Sequence, residues 1–129
     1  MKNAIEWEEK CWGKVCHLVE RDLQVSVLKV MAGFRCSRHR HMHRWNNFRV
    51  ITGILRVVEY RQNSSGDLAQ TRSTVLVAGQ SIDIHPGIWH CFEVLESGQV
   101  VEIYWTTDKT SVDFADIERI DVGGRIDGQ

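Results

Sequence analysis

The feature that most limits what this chain can become is a series of short segments rich in valine, isoleucine and aromatic residues, each closed by glycine or a turn-forming cluster. Gln24 to Val30, Phe48 to Ile51 with Ile54 to Tyr60, Thr74 to Val77, Ser81 to Ile84, His90 to Val94 and Val100 to Trp105 share this character. β-branched and aromatic side chains suit a pleated, half-buried surface, and several of these segments alternate apolar with polar residues, as a strand with one covered face does. The breaks fall at Gly33, Gly53, Asn63-Ser64-Ser65-Gly66-Asp67, Gly79, Pro86-Gly87 and Ser97-Gly98, a spacing that suits an antiparallel meander or barrel. A 3.6-residue apolar period is weak and confined to Asp113 to Ile120, so helix is expected to amount to a terminal turn or two. The expected fold is all-β, with the NSSGD cluster as an exposed hairpin loop. At 129 residues the chain fits one domain, 1–129, with an N-terminal strand arm over 1–20 and a C-terminal extension over 113–129 whose ending, GGRIDGQ, reads as a mobile tail.

Charge narrows the range of partners. Lysine and arginine total 16 against 17 for aspartate and glutamate, a balance that supplies no field for nucleic acid or an anionic membrane surface. The opening MKNAIEWEEKCWGK has no apolar core of a leader, and no window approaches the roughly 18 apolar residues of a membrane span. The reading is a soluble, cytoplasmic protein with no nucleic-acid or membrane partner. Cys11, Cys16, Cys36 and Cys91 form no CxxC pair and are too sparse for a disulfide scaffold, so free thiols are expected. Cys36 and Cys91 lie close in sequence to histidines, which keeps thiolate ligation of a metal open beside simple core packing.

Five of the six histidines fall in two stretches, His39-Arg40-His41-Met42-His43 and His85-Pro86-Gly87-Ile88-Trp89-His90; His17 stands apart. Residues two apart on a strand project to the same face, so HxHxH aims three imidazoles at one volume of space. If that face is interior, the rings either coordinate a metal or must find other polar partners. The competing reading is a solvated basic loop, because Arg35, Arg38, Arg40 and Arg44 surround the histidines.

Two glycine-bounded patterns extend this. Gly33, five residues, His39, one residue, His41, four residues, Asn46, six residues, Gly53 resembles the first cupin motif, which has Glu where Asn46 stands. Gly79, five residues, His85-Pro86-Gly87, two residues, His90 resembles the second, which has Pro where His85 stands. The resemblance implies a double-stranded β-helix, a jelly-roll barrel, holding one divalent transition metal on His39, His41, His90 and Asn46, with His43 as an alternative to Asn46. Imidazole suits zinc, the first choice here, and also iron, nickel and, with oxygen donors, manganese. Taking unperturbed histidine values, such a site should lose its metal below about pH 6.

A nearer resemblance is to type II mannose-6-phosphate isomerases. Cys11-Trp12-Gly13-Lys14 through Leu18-Val19-Glu20 is similar to their opening, Ser37 to Arg44 to their SxQxHxHR segment, Ile84 to His90 to IPAGxWH, and Asp116-Ile117-Glu118-Arg119 with Gly124-Arg125 to their ending. That family has Gln at His39, Glu at Asn46, His at Asn47 and Trp at Phe48. The resemblance implies aldose–ketose isomerisation of a sugar phosphate, which needs a base for the proton next to a carbonyl and an electrophile for the charge that develops. His43, His85 and Glu102 are the candidate bases, and Arg40, Arg44, Trp89 and Arg125 the candidate substrate contacts; Arg side chains suit phosphate and a flat indole suits a sugar face. Trp12, Trp45 and Trp105 are further aromatic candidates. Two other readings stay open, a non-catalytic cupin binding a sugar or anion and a three-histidine non-haem iron oxygenase. Edge strands and the apolar residues of Trp7 to Val19 lead us to expect a homodimer.

Overall fold

A computed structural model describes residues 6–106 and 112–127; residues 1–5 of the expected arm and 128–129 of the expected extension lie outside that range. The described residues form eleven strands: β1 (Glu8–Lys10), β2 (Gly13–Glu20), β3 (Leu23–Val30), β4 (Phe34–Arg35), β5 (His39–Arg40), β6 (Trp45–Gln62), β7 (Leu68–Leu76), β8 (Ser81–Ile84), β9 (Trp89–Trp105), β10 (Glu118–Arg119) and β11 (Gly124–Arg125). They contain no helix. The weak period over Asp113 to Ile120 yields turns and β10 instead. There the Asp113 carboxylate accepts the Ala115 N–H at 2.9 Å and the Asp113 carbonyl accepts the Asp116 N–H at 3.1 Å, local bonds that compete with a helical ladder.

The all-β barrel is built on β6 and β9, each of which fuses two of the apolar segments across a glycine that the sequence reads as a break. Leu55 to Tyr60 of β6 pairs with Trp89 to Val94 of β9, and Trp45 to Val50 pairs with Val100 to Trp105, with register shifts between Val50 and Leu55. At that crossing the backbones lie in contact. A Cβ on Gly98 would collide with the Thr52 carbonyl oxygen, and one on Gly53, where φ is +89°, would meet the Glu96 and Ser97 carbonyls. Glycine therefore lets the strands bend as a pair instead of ending, which is how one sheet curls over on itself. The two halves close on a shared core: Phe48 and Val50 from one, Leu55, Val57, Phe92 and Val94 from the other, with the Phe48 and Phe92 rings 5.8 Å apart.

On one flank β3 pairs with the second half of β9 and β2 pairs with β3, so the arm is part of the sheet. On the other, β6 carries β7 and β8, and the NSSGD cluster is the exposed β6–β7 loop, with the Asn63 side chain accepting from the backbone of Ser65 and Asp67. The ending departs from the mobile-tail expectation: β11 pairs with β4, and the Ile126 N–H donates to the Gly33 carbonyl at 2.9 Å. The Asp121 carboxylate helps to hold it, accepting from the Arg38 N–H and side chain and from Arg35. No helix of the described residues is long and apolar enough to cross a membrane.

Candidate metal centre

Register brings the two histidine stretches together. His39 of β5 is the direct partner of His90 of β9, and His41 follows His39 by two residues on the same face. All three are buried, their ring centroids are 4.5, 4.9 and 5.4 Å apart, and one nitrogen from each lies within 4.8 Å of the others.

The outer nitrogens are already committed. Nδ1 of His39 lies 2.7 Å from the Ser37 carbonyl, Nδ1 of His41 lies 2.8 Å from the Asp116 carbonyl, and Nδ1 of His90 lies 2.8 Å from the Ile88 carbonyl. For His39 and His90 the ring proton belongs on that side, so their Nε2 atoms present lone pairs, the arrangement that orients a ligating histidine; Nδ1 of His41 is shared between the Asp116 carbonyl and the Arg44 guanidinium. Nε2 of His41 is buried without any hydrogen-bond partner. Nε2 of His90 faces Oδ1 of the fully buried Asn46 at 3.2 Å, while Asn46 Nδ2 donates to Glu102 at 3.3 Å. Two lone pairs facing each other have no proton to share, and a cation between them resolves the contact. Burial also keeps the rings neutral: it lowers His90 to about 4 and, with Arg44 and His90 adding positive charge, lowers His41 to about 3; His39 is depressed well below the ordinary range by burial and then by its two histidine neighbours. Three neutral imidazoles converge, a donor set able to hold one divalent transition metal, and the Asn46 amide oxygen lies beside one of them, His90.

A cavity of about 420 Å³ opens from the cluster, lined by His39, Arg44, Glu102, Tyr104, Gln24 and Phe92 among others. The two hydrogen bonds of Glu102, from Tyr104 Oη at 2.8 Å and from Asn46, both fall on Oε2. Burial raises its pKa, partly opposed by those bonds and by Arg44. Arg44 is 5 % exposed, its Nη2 lies 3.0 Å from His41 Nδ1, its guanidinium is 4.0 Å from the Tyr104 ring centroid, and its Nε has no partner.

The remaining sequence candidates lie elsewhere. His43 is exposed, its N–H held by the Asp116 carboxylate at 2.9 Å, so it does not join the histidine cluster in place of Asn46. His85 is exposed against the Trp45 ring, which in turn stacks on Trp105. Arg40 pairs with Glu118 and covers the buried Trp89, and Arg125 lies over Phe34; none of these lines the cavity, whereas Trp12 does. Cys36 and Cys91 are outside the three-histidine group, and burial pushes the Cys91 thiol up to about 11 and the Cys36 thiol well above its usual range, so both stay protonated. The cavity also holds residues that the sequence did not single out, above all Gln24 and Tyr104. Outside its lining, Asp116 acts as a clamp, its carboxylate taking the Met42 and His43 N–H groups while its carbonyl takes the His41 ring. Gln24 escaped notice because β3 inverts the usual pattern: Gln24 and Ser26 point inward with Leu28, and Val25 and Val27 lie on the outer face.

The same curled sheet recurs among solved structures. Oxalate decarboxylase from Bacillus subtilis matches over 90 % of this chain with a TM-score of 0.70 at 12 % identity. The barrel is a cupin fold. A capsular polysaccharide assembling protein, CapF from Staphylococcus aureus, matches 92 % of this chain with a TM-score of 0.68 at 21 % identity, and a Lactobacillus farciminis oxalate decarboxylase in complex with formate matches 90 % of it with 0.65 at 12 %. The chain spans only 30 %, 35 % and 34 % of those three solved chains. No protein-family model matches the sequence, and no curated protein does.

Proposed function

We propose that this cupin is a metal-dependent enzyme that isomerises a phosphorylated sugar between its aldose and ketose forms, with Glu102 as the base. One observation carries the reading: Glu102, its pKa raised by burial, and Arg44, a buried guanidinium that forms no salt bridge among the described residues, line the same cavity as His39 of the histidine cluster. A buried guanidinium without a salt-bridge partner favours an anionic ligand group, and a carboxylate shifted toward neutrality suits a proton taken up and given back. His39, His41, His90 and Asn46 would hold the ion. When bound, it supplies Lewis acidity at the sugar's carbonyl oxygen. Glu102 removes the C2 proton and returns it to C1, while the proton of the C2 hydroxyl passes to the C1 oxygen, so atoms and charge balance. Tyr104 and Asn46 hold Oε2 in place and leave Oε1 for the proton. His43 and His85, exposed and off the cavity, are poorly placed for this role.

The resemblance to mannose-6-phosphate isomerases and the likeness to a capsular polysaccharide assembling protein both favour a sugar ligand. The free thiols suit a cytoplasmic setting. A second reading, a cupin that binds its ligand without turnover, is favoured by Asn46, a neutral amide where the cupin motif has a carboxylate. The test is solvent-deuterium exchange at C2 of mannose 6-phosphate, with Zn, Mn, Fe and Ni supplied in turn. Incorporation above a metal-stripped control is expected. No exchange with any hexose or pentose phosphate overturns the isomerase reading, and binding without exchange selects the second one. Iron found in protein purified without a chelating tag would favour an oxygenase instead.

A further inference from the structure

Two buried polar atoms on cavity residues lack partners, and their needs are opposite. Arg44 Nε is a donor without an acceptor, and Gln24 Oε1 is an acceptor without a donor. We propose that Gln24 is a hydroxyl-recognition subsite, so that the ligand is a polyhydroxylated anion whose charged group meets Arg44 and one of whose hydroxyls donates to Gln24 Oε1. This rests on the cavity being the substrate site and names the class of molecule it takes.

The subsite is built and rigid. Gln24 is 2 % exposed. Its Nε2 lies 3.2 Å from His17 Nδ1 and 3.4 Å from Ser26 Oγ, and those two groups are themselves 2.8 Å apart. The amide nitrogen is thus occupied on the β2 side, and the oxygen is left over. In the β3–β9 register Gln24 stands opposite Tyr104 and Ser26 opposite Glu102, so the subsite lies on the adjacent strand, diagonal to the proposed base at a spacing of about 7–8 Å. A ligand in reach of Glu102 is therefore in reach of Gln24. An orphaned acceptor in a buried pocket penalises any ligand that cannot supply a proton, which is how a site of this kind rejects analogues lacking a hydroxyl. A simple dicarboxylate such as oxalate has no O–H at neutral pH and leaves Gln24 unmet; a sugar phosphate or sugar acid does not.

The test is calorimetric titration of the zinc-loaded full chain with two probe pairs, mannose 6-phosphate against inorganic phosphate and gluconate against hexanoate. Wild type should prefer the hydroxylated member of each pair. Gln24→Leu, and Gln24→Met with its comparable length, should weaken the hydroxylated members about tenfold, the scale of one neutral hydrogen bond, and leave inorganic phosphate and hexanoate unchanged. Unchanged affinity of both variants for mannose 6-phosphate and gluconate overturns the subsite while leaving the phosphosugar reading intact. Equal weakening of all four probes also overturns it, by showing that Gln24 acts only on the fold. Preference for gluconate that depends on Gln24, with no binding of mannose 6-phosphate, supports the subsite and removes the phosphosugar reading.

Discussion

Acid should unfold the metal-free protein early, and the buried imidazoles set where. In the folded chain His41 titrates at about 3 and His90 at about 4 against an ordinary 6.5, and His39 is depressed as well, with burial the leading cause in each case. In the unfolded chain the same rings take protons near 6.5. Between pH 6.5 and about 4 the unfolded state therefore binds protons that the folded state refuses. The folded pKa values are depressed, so stability is complete above pH 6.5 and is lost as pH falls through that window. At pH 4.5, roughly two units below the unfolded value, His41 and His90 each cost about 2.7 kcal/mol, roughly 5 kcal/mol together at about 1.36 kcal/mol per unit. That approaches the whole stability of an ordinary domain, about 5–15 kcal/mol. Glu102 is shifted the other way, its raised pKa letting the folded state bind at most one proton more than the unfolded, so with His41 and His90 alone net uptake on unfolding should be at least about one proton, or roughly 1.4 kcal/mol per pH unit. Urea unfolding of chelator-treated protein from pH 7.5 to 4.5, followed by tryptophan fluorescence, measures that slope. Saturating zinc should move the loss to lower pH, because the ion needs the neutral rings. Stability that stays flat down to pH 4.5, or uptake of less than one proton, would refute burial of three neutral histidines. The same burial revises the expected metal loss below about pH 6: in the folded protein, protons compete directly for His41 and His90 only near pH 4 and below.

Single changes His39→Ala, His41→Ala and His90→Ala should each reduce zinc content at least tenfold by elemental analysis, whereas His17→Ala should leave it unchanged; His17 is outside the cluster. Glu102→Gln keeps the shape and can still accept from Asn46, so it should lower C2 exchange by about 100-fold or more without abolishing zinc binding, and wild-type exchange rates would exclude Glu102 as the base. Gly98→Ala should destabilise by about 3 kcal/mol or more in urea unfolding, because its Cβ meets the Thr52 backbone and not a flexible side chain. A homodimer is expected in sedimentation at micromolar protein, and a monomer alone would count against it.

The fold and half of the site were legible in the sequence. β-branched segments and their glycine breaks are local signals, set by sterics within a few residues, and they identify an antiparallel barrel before any contact is known. HxHxH on a strand likewise places His39 and His41 on one face by geometry alone. Whether Gly53 and Gly98 end strands or bend them was not legible, because the answer depends on each being pressed against the other's strand. His43 is nearer His41 in sequence than Asn46, yet only Asn46 is carried inward, since Asp116, about 70 residues later, clamps the His43 backbone at the surface. Polar chemistry alone does not mark Gln24 and Ser26 as buried; β3, paired with β9, buries both and places Gln24 in the cavity. Residue chemistry and strand period act over neighbours in the chain, whereas register, burial and the resulting pKa of a histidine depend on strands that meet only when the barrel closes.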